Sequence, residues 1–371
     1  MVTVVKVVQI LSGLDAGAVE KAALDFAHEL VRLGHESIVI SNGGELVPRL
    51  TLRGSRHIQM SLHRKSLWSL RQVSRLRRLL QELQADVVHV RSRMPAWITW
   101  LAWRGMAEGN RPRLVTCVHG QYSEILYSGV MASGERVIAA SRGVADYLQA
   151  RYGKRLRRPP QVIYRGVNTR EFDRDAPISG QWQLRLLNDY PQLEGRHWLL
   201  MPARLAPDNG QGTFLQLLAV IARQRDDVFG LVVGGADPGM EKYARKLEQQ
   251  ALDLGLSDRV LFLGERRDMR ELYASSQITY ALPGRPEVVS PVAAEALAMD
   301  CPVVTYADGA SAEILQQCFT AGLVERGNLE ALVQASLQIL ECPQPVSFNG
   351  LSHEDTAAQT LAVYRELCQS A

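Results

Sequence analysis

Two glutamates raise the question of chemistry. In the stretch GRPEVVSPVAAEALAMDCPVVTY, Gly284 to Tyr306, Glu287 and Glu295 stand among apolar and small residues. Glu295 falls in a run that reads as a buried helix, followed at once by a strand, CPVVTY. Glutamate is rarely buried without a partner, and an unpaired buried charge is costly. A carboxylate can accept two hydroxyl hydrogen bonds at once, and bonds to a charged acceptor are strong. A helix N-terminus between the two would offer free N–H groups and a positive dipole end to an anion. Glutamates at this spacing are common by chance. Two surface carboxylates are the bland alternative, and it suits Glu287 better than Glu295.

Other chemistries find less support. There is no G-x-S-x-G and no G-x4-G-K-[ST], which disfavours hydrolase and P-loop mechanisms. The eight histidines show no ligand spacing, and Asp173-Arg174-Asp175 lies in a connector, so no metal site is expected. The five cysteines are odd in number and form no C-x-x-C, which fits a reducing compartment rather than a disulfide framework.

The elements that must position these residues repeat as strand, turn, helix. VVKVVQIL, ESIVIS, ADVVHV, RLVTCVHG, RVIAAS and QVIYRGV form a first series of strands. HWLLMPARL, FGLVVGG, RVLFLGE, QITYALP and CPVVTYA form a second. Apolar β-branched runs alternating with helices indicate parallel sheets covered on both faces. The expected architecture is α/β, with two Rossmann-like doubly wound domains and a cleft between them. Their bounds are 1–170 and 171–350, with a final helix over 351–371 that packs back towards the first domain. In such sheets ligands sit at the carboxyl ends of the strands.

Charge separates the halves. Residues 1–170 carry 26 Lys+Arg against 12 Asp+Glu, net +14, and residues 171–371 carry 16 against 27, net −11. A basic half suits an anionic partner, and a solvated arginine-rich surface is the plain alternative. His63–Leu83 reads as an amphipathic helix with Arg71, Arg75 and Arg78 sharing one face. Trp97, Trp100 and Trp103 fall on one side of a second helix, where core packing competes with an interfacial anchor. The opening strand is too short for a membrane span, and a cytoplasmic protein is expected.

With its flanks, RPEVVSPVAAEALAM resembles the E-x7-E signature of retaining glycosyltransferases of family four, which have the GT-B fold. GAVEKAALDFAHELVRLGHE is similar to the family's first phosphate-facing loop and helix. VVHVRSR and TCVHG resemble strand ends that face the cleft, IYRGVNTREF the hinge entry, and ARLAPDNGQGTF the R-x4-K-G element. FLGERRDMRELYASS completes the set, in the family's order along nearly the whole chain. The resemblance implies a nucleotide-diphosphate sugar as donor, no metal and no cofactor. It places Glu295 on the ribose hydroxyls, Glu287 on the donor sugar and Arg204 on the diphosphate, helped by Arg165 or Arg285. His119 would stand at the sugar near the reacting carbon. Gly17, Asn209, Val288, Val289 and Ser290 would line the donor.

Departures from the pattern are Asn209 for the diphosphate lysine, Ala18, Asp300 and Ala310 for glycines, Gln277 for an aspartate, and the Ser290-Pro291 pair. The wording of VVHVRSRMPAW further resembles bacterial lipopolysaccharide-core transferases. That implies a glycolipid or oligosaccharide acceptor, contact with the anionic inner membrane, and no nucleic acid. A degenerate, non-catalytic relative that binds glycolipid or a partner enzyme stays open beside this reading. A sugar-nucleotide epimerase or a phosphorylase is weaker, since no lysine stands in a context suited to pyridoxal phosphate.

Overall fold

The computed structural model describes residues 4–15, 17–63, 70–122, 125–236, 239–286 and 291–369. Glu287, Val288, Val289 and Ser290 therefore lie outside the described residues. The chain divides into two units. The first comprises Met1–Gly166 with Ser352–Ala371, and the second is Val167–Leu351.

The first unit holds a parallel sheet of β1 (Lys6–Ile10), β2 (Glu36–Ser41), β3 (Arg56–Gln59), β4 (Val87–Val90), β5 (Arg113–Val118), β6 (Arg136–Ala139) and β7 (Gln161–Val162). Their order is β3-β2-β1-β4-β5-β6-β7. The second unit holds β8 (His197–Pro202), β9 (Val228–Val233), β10 (Val260–Gly264), β11 (Ile278–Ala281), β12 (Val303–Tyr306) and β13 (Leu323–Val324). Their order, β10-β9-β8-β11-β12-β13, repeats the doubly wound pattern of the first unit. Both sheets reverse direction of growth once, between β1 and β4 and between β8 and β11. Ligand sites of open α/β sheets form at such reversals.

The strands read as apolar runs because helices cover both faces. Every residue of β4 and of β9 is buried. Helix Ala18–Arg32 lays Ala23, Leu24, Phe26, Ala27 and Leu30 on the first sheet and ends where Gly34 takes φ +80. The last helix, His353–Gln369, belongs to the first unit and packs Ala357, Leu361, Tyr364 and Leu367 against Phe26, Val87 and Ile138. A reciprocal cap starts it: Asp355 Oδ2 accepts from the Ser352 backbone N–H, and the Asp355 N–H donates to Ser352 Oγ, both at 3.0 Å.

Within the basic amphipathic segment, helix Leu70–Leu83 is described and residues 64–69 are not. The tryptophans of helix Arg93–Arg104 are engaged within the unit. The Trp103 indole, buried, donates to Pro112 O at 2.7 Å, and Trp97 donates to Tyr127 O at 2.8 Å. All five cysteines are free thiols. No helix among the described residues is long and apolar enough to cross a membrane.

Candidate active site

In the first unit the chain leaves β4 as Arg91-Ser92-Arg93 and turns directly into helix Arg93–Arg104, whose Ser92 cap makes no side-chain bond. An open cleft of about 490 Å³ lies there, walled by Ser12, His63, Arg91, Arg93, His119 and Tyr122 among others. Gln9, fully buried on β1, fixes the arginine nearest the sheet. Its Oε1 accepts from Arg91 Nε at 2.8 Å while its amide donates to Ala23 O at 3.0 Å. Arg91 also stands over the Phe26 ring at 5.5 Å.

Behind His119 a smaller cavity of about 50 Å³ reaches His89, Cys117 and the start of the last helix. His89 Nδ1 shares a 2.6 Å hydrogen bond with Tyr364 Oη, and its Nε2 is buried without a partner among the described residues. His119 Nε2 is likewise buried with no partner among the described residues. Burial, then Arg91 and Arg165, pulls the His119 pKa down to about 3. Burial, Arg91 and His119 hold His89 well below the usual histidine range. Both rings are neutral imidazoles at physiological pH, so each is a hydrogen-bonding group rather than a cation. Burial raises the Cys117 thiol to about 11 and keeps it protonated.

In the second unit the corresponding reversal is laced by backbone. After β8, Asn209 Nδ2 and Gln211 Nε2 each donate to Arg204 O at 2.7 Å. The Gly284 N–H donates to Asp208 O at 2.7 Å, tying this loop to the one after β11. Gly210 has φ +85, and a Cβ there would stand 1.9 Å from Leu282 O, so only glycine fits. A cleft of about 180 Å³ opens beside these loops, lined by Ala203, Asn209, Tyr280, Leu282, Pro283 and Pro291. Helix Pro291–Ala298 starts at its edge.

Glu295 is half-buried on that helix, and Tyr273 Oη donates to its Oε2 at 3.3 Å. Burial, then the Glu295 charge, raises the Tyr273 pKa well above its ordinary value, so the phenol stays a donor. One carboxylate of the opening pair thus has a named partner; Glu287 is outside the described residues.

The other expected residues are distributed as follows. Arg204 has an exposed side chain, and its carbonyl anchors the loop. Asn209 lines the cleft and spends its amide on that carbonyl. Gly17 is the extended N-cap of helix Ala18–Arg32, with no side-chain cap bond. Arg165 faces Asp25 at 3.6 Å and Arg285 faces Asp208 at 3.4 Å, so each suggested helper cation already has a carboxylate. Asp300 takes φ +56, which explains the glycine usual at that position, and its Oδ1 accepts from Arg174 at 2.7 Å. Among the described residues no group of three or more His, Cys, Asp or Glu could hold a metal ion. Arg91, Arg93, Gln211 and Tyr273 were not singled out from sequence. The two arginines were findable, because VVHVRSR, which carries both, already reads as a strand end that faces the cleft.

Comparison with known proteins gives a consistent picture. Residues 19–171 match the model described as Glycosyltransferase Family 4, and residues 187–349 the model described as Glycosyl transferases group 1. A lipopolysaccharide core biosynthesis mannosyltransferase of Rhizobium leguminosarum bv. viciae is 31% identical over 185 residues, 50% of this chain and 51% of that protein. The match therefore spans about half of that relative's length. A glycosyltransferase structure from Rickettsia africae superposes with a TM-score of 0.85 at 25% identity, covering 99% of this chain and 100% of that one. HepE of Anabaena, solved in complex with UDP, shares the fold with a TM-score of 0.76 at 21% identity, covering 98% and 99% of the two chains.

Proposed function

Since the chain belongs to glycosyltransferase family 4 and has the GT-B type of fold, we propose that it moves a sugar from a nucleotide-diphosphate sugar to a glycolipid or oligosaccharide, with retention of configuration. The observation that carries this reading is the paired reversal clefts. One is lined by loops and a helix start suited to a phosphorylated ligand, and the other by arginines and neutral histidines. The relative named as a core mannosyltransferase makes mannose the first sugar to test and lipopolysaccharide core the first acceptor.

In the proposed reaction, the bond between the anomeric carbon and the diphosphate oxygen breaks. A bond from that carbon to the acceptor oxygen forms on the same face. The acceptor proton passes to the departing diphosphate, which leaves with the bonding pair. Glu295, held by Tyr273, takes the ribose hydroxyls. Arg204 balances the diphosphate charge, and no metal is needed for that role. His119, a neutral imidazole, hydrogen-bonds the donor sugar. The rate gain comes from positioning and preorganised electrostatics. The exposed arginines of helix Leu70–Leu83 meet the anionic cytoplasmic face of the inner membrane.

Calorimetric titration with UDP, GDP, ADP and CMP tests the donor site. One nucleotide should bind, and Glu295→Ala should weaken it at least tenfold. If none binds at millimolar concentration and low salt, the transferase reading fails and a non-catalytic glycolipid binder takes its place.

A further inference from the structure

We propose that the cleft at the end of β4 holds an anionic group of the acceptor, a phosphate or a carboxylate, with Arg93 as the specificity-determining residue. This rests on the reading of the chain as a transferase and names the chemical class of its second substrate. Arg91 is only 8% exposed, yet among the described residues its partners are Gln9 and Phe26 and those of Arg93 are Ser128, Tyr122 and Tyr127, none of them a carboxylate. Burying a guanidinium without an anion is unfavourable, and a ligand can supply the missing charge.

Arg93 is also held in place. Its guanidinium carbon lies 5.1 Å from the Tyr122 ring centre and 5.5 Å from that of Tyr127, with a 3.5 Å hydrogen bond from Nη1 to Ser128 Oγ. Aromatic contact fixes the planar fork at little entropic cost, and such a fork matches phosphate or carboxylate oxygens. Two histidines of the wall, His63 and His119, each bury a ring nitrogen, Nδ1 and Nε2 respectively, with no partner among the described residues. No Asp or Glu lines the cleft among the described residues. Its volume, about 490 Å³, suits a sugar-sized ligand.

The test titrates the full chain with glucose 6-phosphate, glucuronate and glucose, with and without saturating nucleotide. At least one acidic sugar should bind tenfold or more tightly than glucose, and comparing the two distinguishes phosphate from carboxylate. Arg93→Gln should abolish the preference, Arg93→Lys should retain part of it, and the distant surface change Arg223→Gln should leave it intact. If Arg93→Gln does not melt cooperatively, S12D tests the same charge by setting a carboxylate in the cleft, and it should cost tenfold. Equal binding of the three sugars, binding of none, or a preference that survives Arg93→Gln overturns the proposal. So does displacement of the acidic sugar by nucleotide, which would assign the anion to the donor. Nucleotide binding without acidic-sugar preference sinks this proposal alone. Acidic-sugar preference without nucleotide binding sinks the transferase reading, and with it the assignment of the anion to an acceptor, and leaves the cleft as an acidic-sugar binding site.

Discussion

The two units share a strand order but finish their strands differently. At the reversal of the first unit the chain presents charge and imidazole: Arg91, Arg93, His89 and His119, set around the open cleft and the smaller cavity behind it. At the reversal of the second unit it presents peptide groups. Asn209 and Gln211 serve the Arg204 carbonyl, and Gly210 presses on Leu282. Seven of the eight histidines belong to the first unit, and the second has only His197, at its surface. One topology thus supports a site built from side chains and a site built from backbone. The first is vulnerable to changes of protonation, the second to an added carbon.

The largest effect should come from adding that carbon. Gly210→Ala forces a left-handed alanine against the Leu282 carbonyl. Backbone strain of about 1–2 kcal/mol and overpacking of about 1–3 kcal/mol should together remove about 3 kcal/mol of stability. Urea unfolding followed by tryptophan fluorescence checks it, and a loss below about 1 kcal/mol would show that the loops yield freely.

Acid should separate the units next. His119 has a folded pKa of about 3, below its unfolded value near 6.5, so the unfolded chain binds the extra proton. The stability that this confers is fully present above pH 6.5 and is lost as the pH falls towards 3. Between pH 6.5 and 5 the loss is about 2 kcal/mol. His119→Gln should remove that part of the pH dependence in urea titrations at the two pH values, leaving the remainder, to which His89 contributes with the same sign. An unchanged slope would mean that the ring accepts a proton in the folded state.

The smallest effect sharpens the comparison within the second unit. Asp300→Gly relieves left-handed strain of about 1 kcal/mol and loses an exposed ion pair to Arg174. Melting should rise by about 2 °C in a scanning calorimeter. A fall would make the Arg174 contact the larger contribution.

Most of the fold was legible in the sequence because buried parallel strands are written as uninterrupted apolar runs. Two strands escaped for the opposite reason. β3 reads Arg-His-Ile-Gln at a sheet edge, half exposed, and β13 is two residues long. The site was less legible. Glu295 could be singled out from its apolar neighbours, but its partner Tyr273 lies 22 residues earlier on another helix, and no local pattern links them. Asn209 could be seen as a missing positive charge. That its amide would serve the Arg204 carbonyl depends on how the loop folds back, which spacing does not encode. Arg91 reads as one arginine among many until Gln9, 82 residues away, is seen to hold it.

The discontinuity of the first unit sets an order of assembly during synthesis. The second unit is one uninterrupted segment, complete once Leu351 has left the ribosome. The first unit has by then waited through the translation of 185 intervening residues, with the surface reserved for Leu361 and Tyr364 still bare. The half that begins the chain is therefore the last to close, and the final seventeen-residue helix is what closes it. A stop codon shortly before that helix would spare the later half of the protein and leave the earlier half unfinished.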